Sequence, residues 1–214
     1  MTSNASTALM TIVADLHTHA LGDGRFDSRA PDLVARHLHS ALEAGLQVIG
    51  VTDHDDLRPG LIAAEYAAAH NLPILVLPGM EVATEEGHLV ALGLSEPLAP
   101  WRSMTETIAE ARTHGALCIL PHPFFPHLRA RTDVDAVERL NFRYGRFDVD
   151  RDDIAIVASS DAHTPADLRD NPYRTLLHTH DVSWDGIVEA LRSRRVTIVT
   201  RSECESVPPG ETGP

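Results

Sequence analysis

The chain has 214 residues, 43% of them hydrophobic and 23% charged, and a formal net charge of −13. That length suits one domain with a single sizeable core. The acidic balance argues against nonspecific nucleic-acid binding, for which basic surface supplies the affinity, and no apolar run approaches the roughly 20 residues of a membrane span.

The opening Met1–Met10 is polar and lacks the basic start of a signal peptide, so a cytoplasmic location is the expectation. Residues 1–9 show no apolar period and residues 203–214 are rich in Pro, Gly and Glu. Both are expected to be disordered tails around one domain at 10–202. Thr11–Leu16 reads as the first strand. Pro31–Ala44 follows with Leu33, Val34, His37, Leu38, Ala41 and Leu42 at helical spacing, Pro31 in its first turn and Gly45 at its end. Val48–Thr52 is the next strand, and Leu61–His70 is Ala-rich and favours helix. Ile74–Leu77 and His88–Leu94 are strands. Ser103 and Glu106 then form a capping-box pattern that opens a helix ending at Gly115. Leu117–Leu120, Ala136–Leu140 and Ile154–Ser159 read as strands. Ser183 caps a helix through about Ser193, and Val196–Thr200 is the last strand. Such alternation implies an α/β protein with a mainly parallel sheet, either closed as a barrel or open. No Gly-rich loop follows the first strand, so the usual nucleotide-binding signature of the open form is missing.

Ligand-type residues recur where these strands end. They are Asp15-Leu16-His17-Thr18-His19, Asp23-Gly24, Thr52-Asp53-His54-Asp55, Gly79-Met80-Glu81, His88, Pro121-His122-Pro123 and Ser160-Asp161-Ala162-His163. Residues two apart on a strand point the same way, so His17 and His19 can reach one ion, and Asp161 and His163 repeat the spacing. Nitrogen and oxygen ligands without thiolate suit Zn²⁺, Mn²⁺ or Fe²⁺. Glu81 has two oxygens with which to bridge ions. Asp15 and Asp53 are placed to accept the second N–H of a ligating histidine and fix its tautomer. Each piece alone is unspecific: a lone His-x-His is more often surface or satisfied core, and Pro-His-Pro is often only a rigid turn. Their repetition at successive strand ends is what points to a metal site. His37, His39, His70 and His114 lie in or near helices, where solvation or the helix dipole accounts for them. His178 and His180 have no carboxylate motif around them, and Cys118, in an apolar run, reads as a buried small hydrophobe.

In order, Asp-Leu-His-Thr-His, Thr-Asp-His-Asp, Gly-Met-Glu-Val, Gly87-His88, Pro-His-Pro and Ser-Asp-Ala-His resemble the motifs of the PHP (polymerase and histidinol phosphatase) family, from Asp15 to His163. Tyr173 to Thr200 looks like the family's closing segment. The resemblance implies a distorted (β/α)7 barrel with its metal site at the C-terminal ends of the strands, holding two to three divalent ions of Zn, Mn or Fe. Carried over, His17, His19, Glu81 and Asp161 would hold the first ion. Glu81, His88 and His122 would hold the second, and Asp23, His54 and His163 the third. Asp23 stands one residue nearer the His-x-His pair than is usual for members with Asp here, which leaves Asp27 as an alternative. The implied activity is hydrolysis of a small phosphorylated substrate, monoester or diester, by a metal-bridged hydroxide, with Glu81, Asp161 and His163 as catalytic residues. Arg143 is the expected phosphate ligand, because Glu138-Arg-Leu-Asn141-Phe-Arg143 resembles a family segment entering the active-site loop. Arg129 and Arg131 are its rivals, and His127 is a substrate-contact candidate near the mouth. Two other functions compete. A carbon–nitrogen hydrolase on a related barrel is one, although all 18 basic residues are Arg and the absence of Lys excludes its carbamylated-lysine form. A noncatalytic PHP scaffold is the other.

Overall fold

The computed structural model describes residues 8–206. The strands are β1 (Met10–Thr18), β2 (Val48–Val51), β3 (Leu75–Ala83), β4 (His88–Leu92), β5 (Leu117–Leu120), β6 (Ala136–Asn141), β7 (Gly145–Arg146), β8 (Ala155–Ser159), β9 (Tyr173–Thr179) and β10 (Val196–Thr200). Helices α1 (Ala30–Glu43), α2 (Arg58–Ala69), α3 (Met104–Thr113), α4 (Pro126–Arg129), α5 (Pro165–Asp170), α6 (Trp184–Arg192) and α7 (Arg201–Ser206) lie between and after them. Local signals explain several ends. Pro31 sits in the first turn of α1, and Ser103 and Glu106 close the capping box of α3. Ser183 accepts from the Gly186 N–H to cap α6.

The sheet runs β10-β9-β1-β2-β3-β4-β5-β6-β7, with β8 also paired to β6. It is less parallel than the alternation suggested: β1–β2–β3 and β5–β6–β8 pair in parallel, while β4, β7 and β9 pair antiparallel with their neighbours. The cause is β3–β4, a short hairpin where a βαβ unit would have placed a helix, and β9–β10, which returns along β1. The sheet curls as a half-barrel. The Thr18–Ala162 bridge and the Ala158 N–H bond to Thr175 Oγ1 bring β8 against β1 and β9.

One consequence places the site. β1, β2, β3, β5, β6 and β8 share a direction, so their C-terminal ends form one edge, and β4, running against them, starts at that same edge. Inside the curl, Ile12, Leu16, Val48, Leu77, Leu92, Ile119 and Val157 pack with Ile187 and Leu191 of α6. Outside it, α1 and α2 cover β2 through Val34, Leu38, Ile49, Val51 and Ala63. Gly50 is fixed by a close approach: a Cβ there would stand 2.5 Å from the Leu16 carbonyl oxygen.

Not every element was read from the sequence. Residues Arg201–Ser206 form α7, at the start of the segment read as a tail, with Glu203 accepting from the Thr200 backbone N–H and hydroxyl. The rest of the expected tails, 1–7 and 207–214, lies outside the described residues. Tyr173–Thr179 is a full strand, hidden in the sequence by its polar residues. Cys118 is buried, as read from its apolar run. Among the described residues no helix is long and apolar enough to cross a membrane.

Candidate metal centre

At the shared edge, β1 ends in a register irregularity between Asp15 and Thr18 and delivers His17 and His19 into the interior, both fully buried. Their Nε2 atoms converge to 3.1 Å. Glu81, near the end of β3, faces them with 1% of its surface exposed. Its Oε2 lies 3.3 Å from each of these two nitrogens and 3.1 Å from His54 Nδ1, just past β2. Its Oε1 lies 2.8 Å from both His88 Nδ1, at the start of β4, and His122 Nε2, just past β5. Asp161, after β8, places Oδ1 3.2 Å from His19 Nε2. His163 stacks near His19 at 4.2 Å between ring centroids, and its Nε2 is 3.5 Å from Asp23 Oδ1.

Two of these positions carry backbone strain. His122 (φ 25°) and Asp161 (φ 53°) are non-glycine residues in the left-handed region. The His122 N–H is anchored by Glu138 Oε2 at 2.8 Å, and the Asp161 N–H by the His17 carbonyl at 3.0 Å.

The electrostatics fit cations. Burial opposes ionisation of Glu81, yet the surrounding imidazoles hold its carboxyl well below the usual range. Asp161 behaves alike and is brought down to about 2, with His17 and His19 outweighing burial. His17 is pushed well above its ordinary value, because Asp161, Glu81 and Glu138 together overcome its desolvation. Two imidazole nitrogens 3.1 Å apart cannot both present lone pairs without a proton or a cation between them. Glu81 Oε2 and Asp161 Oδ1 are buried and make no hydrogen bond among the described residues, a costly state in a dry interior unless something positive binds there. Metal-compatible groups of ligand atoms are His17–His19–Glu81, His17–His122–Asp161, His54–Glu81–His88 and His19–His54–His163.

All nine residues singled out as ligands therefore meet at one edge, Asp23 most loosely, with its side chain 80% exposed. Asp27 is engaged elsewhere, by the backbone N–H and guanidinium of Arg29. The orienting carboxylates differ from expectation. Asp15 accepts from the backbone N–H groups of Ser160 and His17, and Asp53 from those of Ala20 and Leu21, so both brace loops rather than rings. The residue that holds a ring is Glu138, on β6, which sequence reasoning did not single out. It accepts from His17 Nδ1–H at 2.9 Å, from the His122 N–H and from Asn141 Nδ2, and is fully buried. Its signals in the sequence were an acid following the apolar pair Ala136-Val137 and its place at the start of the Glu138–Arg143 segment. His37 also departs from its reading as a helix residue accounted for by solvation or the helix dipole. It is buried, donates to Thr18 Oγ1 between the two β1 histidines, and is driven by desolvation to about 3.

Of the substrate candidates, Arg143 lies close enough to Asp161 and Asp23 to feel both charges. Despite some desolvation, these and a Tyr144 hydrogen bond raise its pKa. Arg129 is tied to the Pro123 and Phe124 carbonyls and Arg131 to Asp133. His127 stacks on Phe125 instead of facing the cluster. A cavity of about 500 Å³ opens beside His54, lined by Asp23, Arg25, Phe26, Asp55 and Arg58.

No family model matches the chain. An uncharacterised protein of Methanocaldococcus jannaschii is 32% identical over 140 residues, covering 60% of this chain and 81% of that protein. A two-domain protein from Bacteroides vulgatus, containing a predicted PHP-like metal-dependent phosphoesterase, superposes with a TM-score of 0.69 at 22% identity over 89% of this chain. The chain spans 65% of that protein's length. The lesion-specific endonuclease PfuEndoQ of Pyrococcus furiosus gives a TM-score of 0.59 at 16% identity, over 86% of this chain and 56% of its own. An amidohydrolase from Chromobacterium violaceum, with bound sulfate, gives 0.56 at 17%, over 90% and 99% of the two chains.

Proposed function

We propose, from the fold it shares with PHP-like proteins and from the site described above, that the chain is a PHP-like metal-dependent hydrolase of phosphate esters built on a distorted (β/α)7 barrel. The observation that carries this reading is Glu81, whose two oxygens lie within 3.3 Å of nitrogens from five histidines. A carboxylate used on both oxygens and ringed by nitrogen donors suits a ligand bridging two ions. His17, His19, Glu81 and Asp161 would hold one divalent ion, and Glu81, His88 and His122 a second. Asp23, His54 and His163 would hold a third. The donor set favours Zn, Mn or Fe.

Bound ions would supply Lewis-acid polarisation of the phosphoryl oxygens and an acidified water near neutral pH. The chain's own residues do the positioning. Glu138 accepts His17 Nδ1–H, which turns His17 Nε2 into the cluster. His163 donates Nδ1–H to the Asp161 carbonyl at 2.8 Å, leaving its Nε2 facing Asp23. Arg143 offers paired donors to the phosphoryl oxygens.

Glu138→Gln is expected to weaken metal binding about 10- to 100-fold, because the ring it orients loses its charged acceptor. Binding isotherms with Mn²⁺ would check this, and an unchanged affinity would remove Glu138 from the positioning role. The activity itself is tested with a panel of phosphomonoesters, phosphodiesters and carboxamides offered to the metal-loaded protein. Cleavage of at least one phosphate ester and no amide is expected. Turnover of amides alone would assign the chain to carbon–nitrogen hydrolysis, the alternative suggested by the Chromobacterium neighbour.

A further inference from the structure

Large hydrophobic side chains that remain exposed among the described residues are few, and three of them, Phe124, Phe125 and Tyr144, belong to the β5–α4 and β6–β7 loops. Phe124 and Tyr144 are 50% and 49% exposed and meet edge to face at 5.1 Å between centroids. Both rings also touch His122, at 5.2 and 5.0 Å, and the buried Phe147 supports Phe124 from beneath at 5.4 Å. The Tyr144 N–H is held by Asn141 Oδ1, and the amide of Asn141 in turn bonds Glu138 and Asp161. The pair is therefore fixed to the frame of the metal cluster, one ring away from Glu81. Tyr144 also meets Arg143, whose charge lies near Asp161.

We propose that Phe124 and Tyr144 form a stacking platform for the organic part of the substrate, so that the preferred phosphate esters carry a flat aromatic ring close to the phosphoryl group. The inference rests on the phosphoester reading above. Two rings propped in place by Phe147 and Asn141 pay little conformational entropy on binding, and their outer surface lies uncovered beside the site where phosphate would bind. Exposed apolar rings rimmed by polar groups beside a ligand cluster suit a ligand-binding surface. A saturated or purely hydroxylated group would gain less there, because it lacks the π-face that stacking uses.

The test is calorimetric titration of the metal-loaded protein with two hydrolysis-resistant probes, benzylphosphonate and ethylphosphonate. Benzylphosphonate is expected to bind more tightly, by about 5- to 100-fold, the range that one stacked ring provides. In Phe124→Ala the benzyl-to-ethyl affinity ratio should fall towards one, and Phe124→Trp should retain it. A wild-type ratio near one, or a ratio untouched by Phe124→Ala, would overturn the platform and leave the phosphoester reading intact. Failure of the wild-type protein to bind either phosphonate, together with no ester cleavage, would overturn that reading and the platform with it.

Discussion

Glu81→Gln is expected to lower kcat/KM by about 1000-fold or more, equivalent to roughly 4 kcal/mol of transition-state stabilisation. The substitution keeps the shape of the side chain but removes the one charge among the described residues that touches all of His17, His19, His54, His88 and His122. Loss of a merely orienting carboxylate around a metal costs about 10- to 100-fold, and a carboxylate shared between ions should cost more. Metal content should fall along with activity. Asp23→Asn is the informative comparison. Asp23 is mostly exposed and, among the candidate ligands, approaches His163 at 3.5 Å, so its loss should leave the other ions in place and reduce activity far less. Equal losses in the two variants, at matched metal content, would mean that Glu81 does not bridge.

Arg143→Ala should reduce kcat/KM by roughly 10- to 150-fold, the value of charge-assisted hydrogen bonds to a phosphoryl group. The structure gives Arg143 what Arg129 and Arg131 lack. Those two are committed to backbone carbonyls and to Asp133, whereas Arg143 stands near Asp161 and Asp23 with its guanidinium mostly solvated. Arg143→Lys should recover only part of the loss, because an ammonium restores charge without the planar pair of donors. The deficit should be common to all phosphorylated substrates and leave metal content unchanged. A change below about threefold for two unrelated esters would return Arg143 to the solvated surface.

The candidate ligands were legible in the sequence because strand geometry makes their pattern repeat. His17 and His19 must share a face, and each later motif falls where a strand stops, so the types and spacings repeat visibly. His88 fits only once β4 is seen to run backwards, which brings the start of that strand to the same edge. What stayed hidden acts through contacts between distant residues. Glu138 lies 121 positions from the ring that it orients, and its neighbourhood gives no sign of which ring that is. His37 shares the helical spacing of the apolar residues of α1, but its residue type suggested solvation or the helix dipole, whereas α1 packs its ring down onto Thr18. β9 escaped notice because its polar residues are satisfied internally: Arg174 bonds the Asn171 and Tyr173 carbonyls, and His178 spans Thr11 and Thr197. The parallel character of the sheet was overestimated for a related reason, since a short hairpin such as β3–β4 leaves no periodic mark.

The central claim is that this edge binds metal ions in order to cleave phosphate esters, and one titration addresses both halves. Metal-stripped protein would be titrated with Mn²⁺ or Zn²⁺ while bound ion and product release from a phosphate ester are followed in the same sample. Release should be negligible at first, rise with occupancy, and reach its plateau only once at least two ions are bound per chain, as two ligand groups sharing Glu81 require. Binding of less than one ion per chain, or full occupancy without hydrolysis of any ester, would contradict the account.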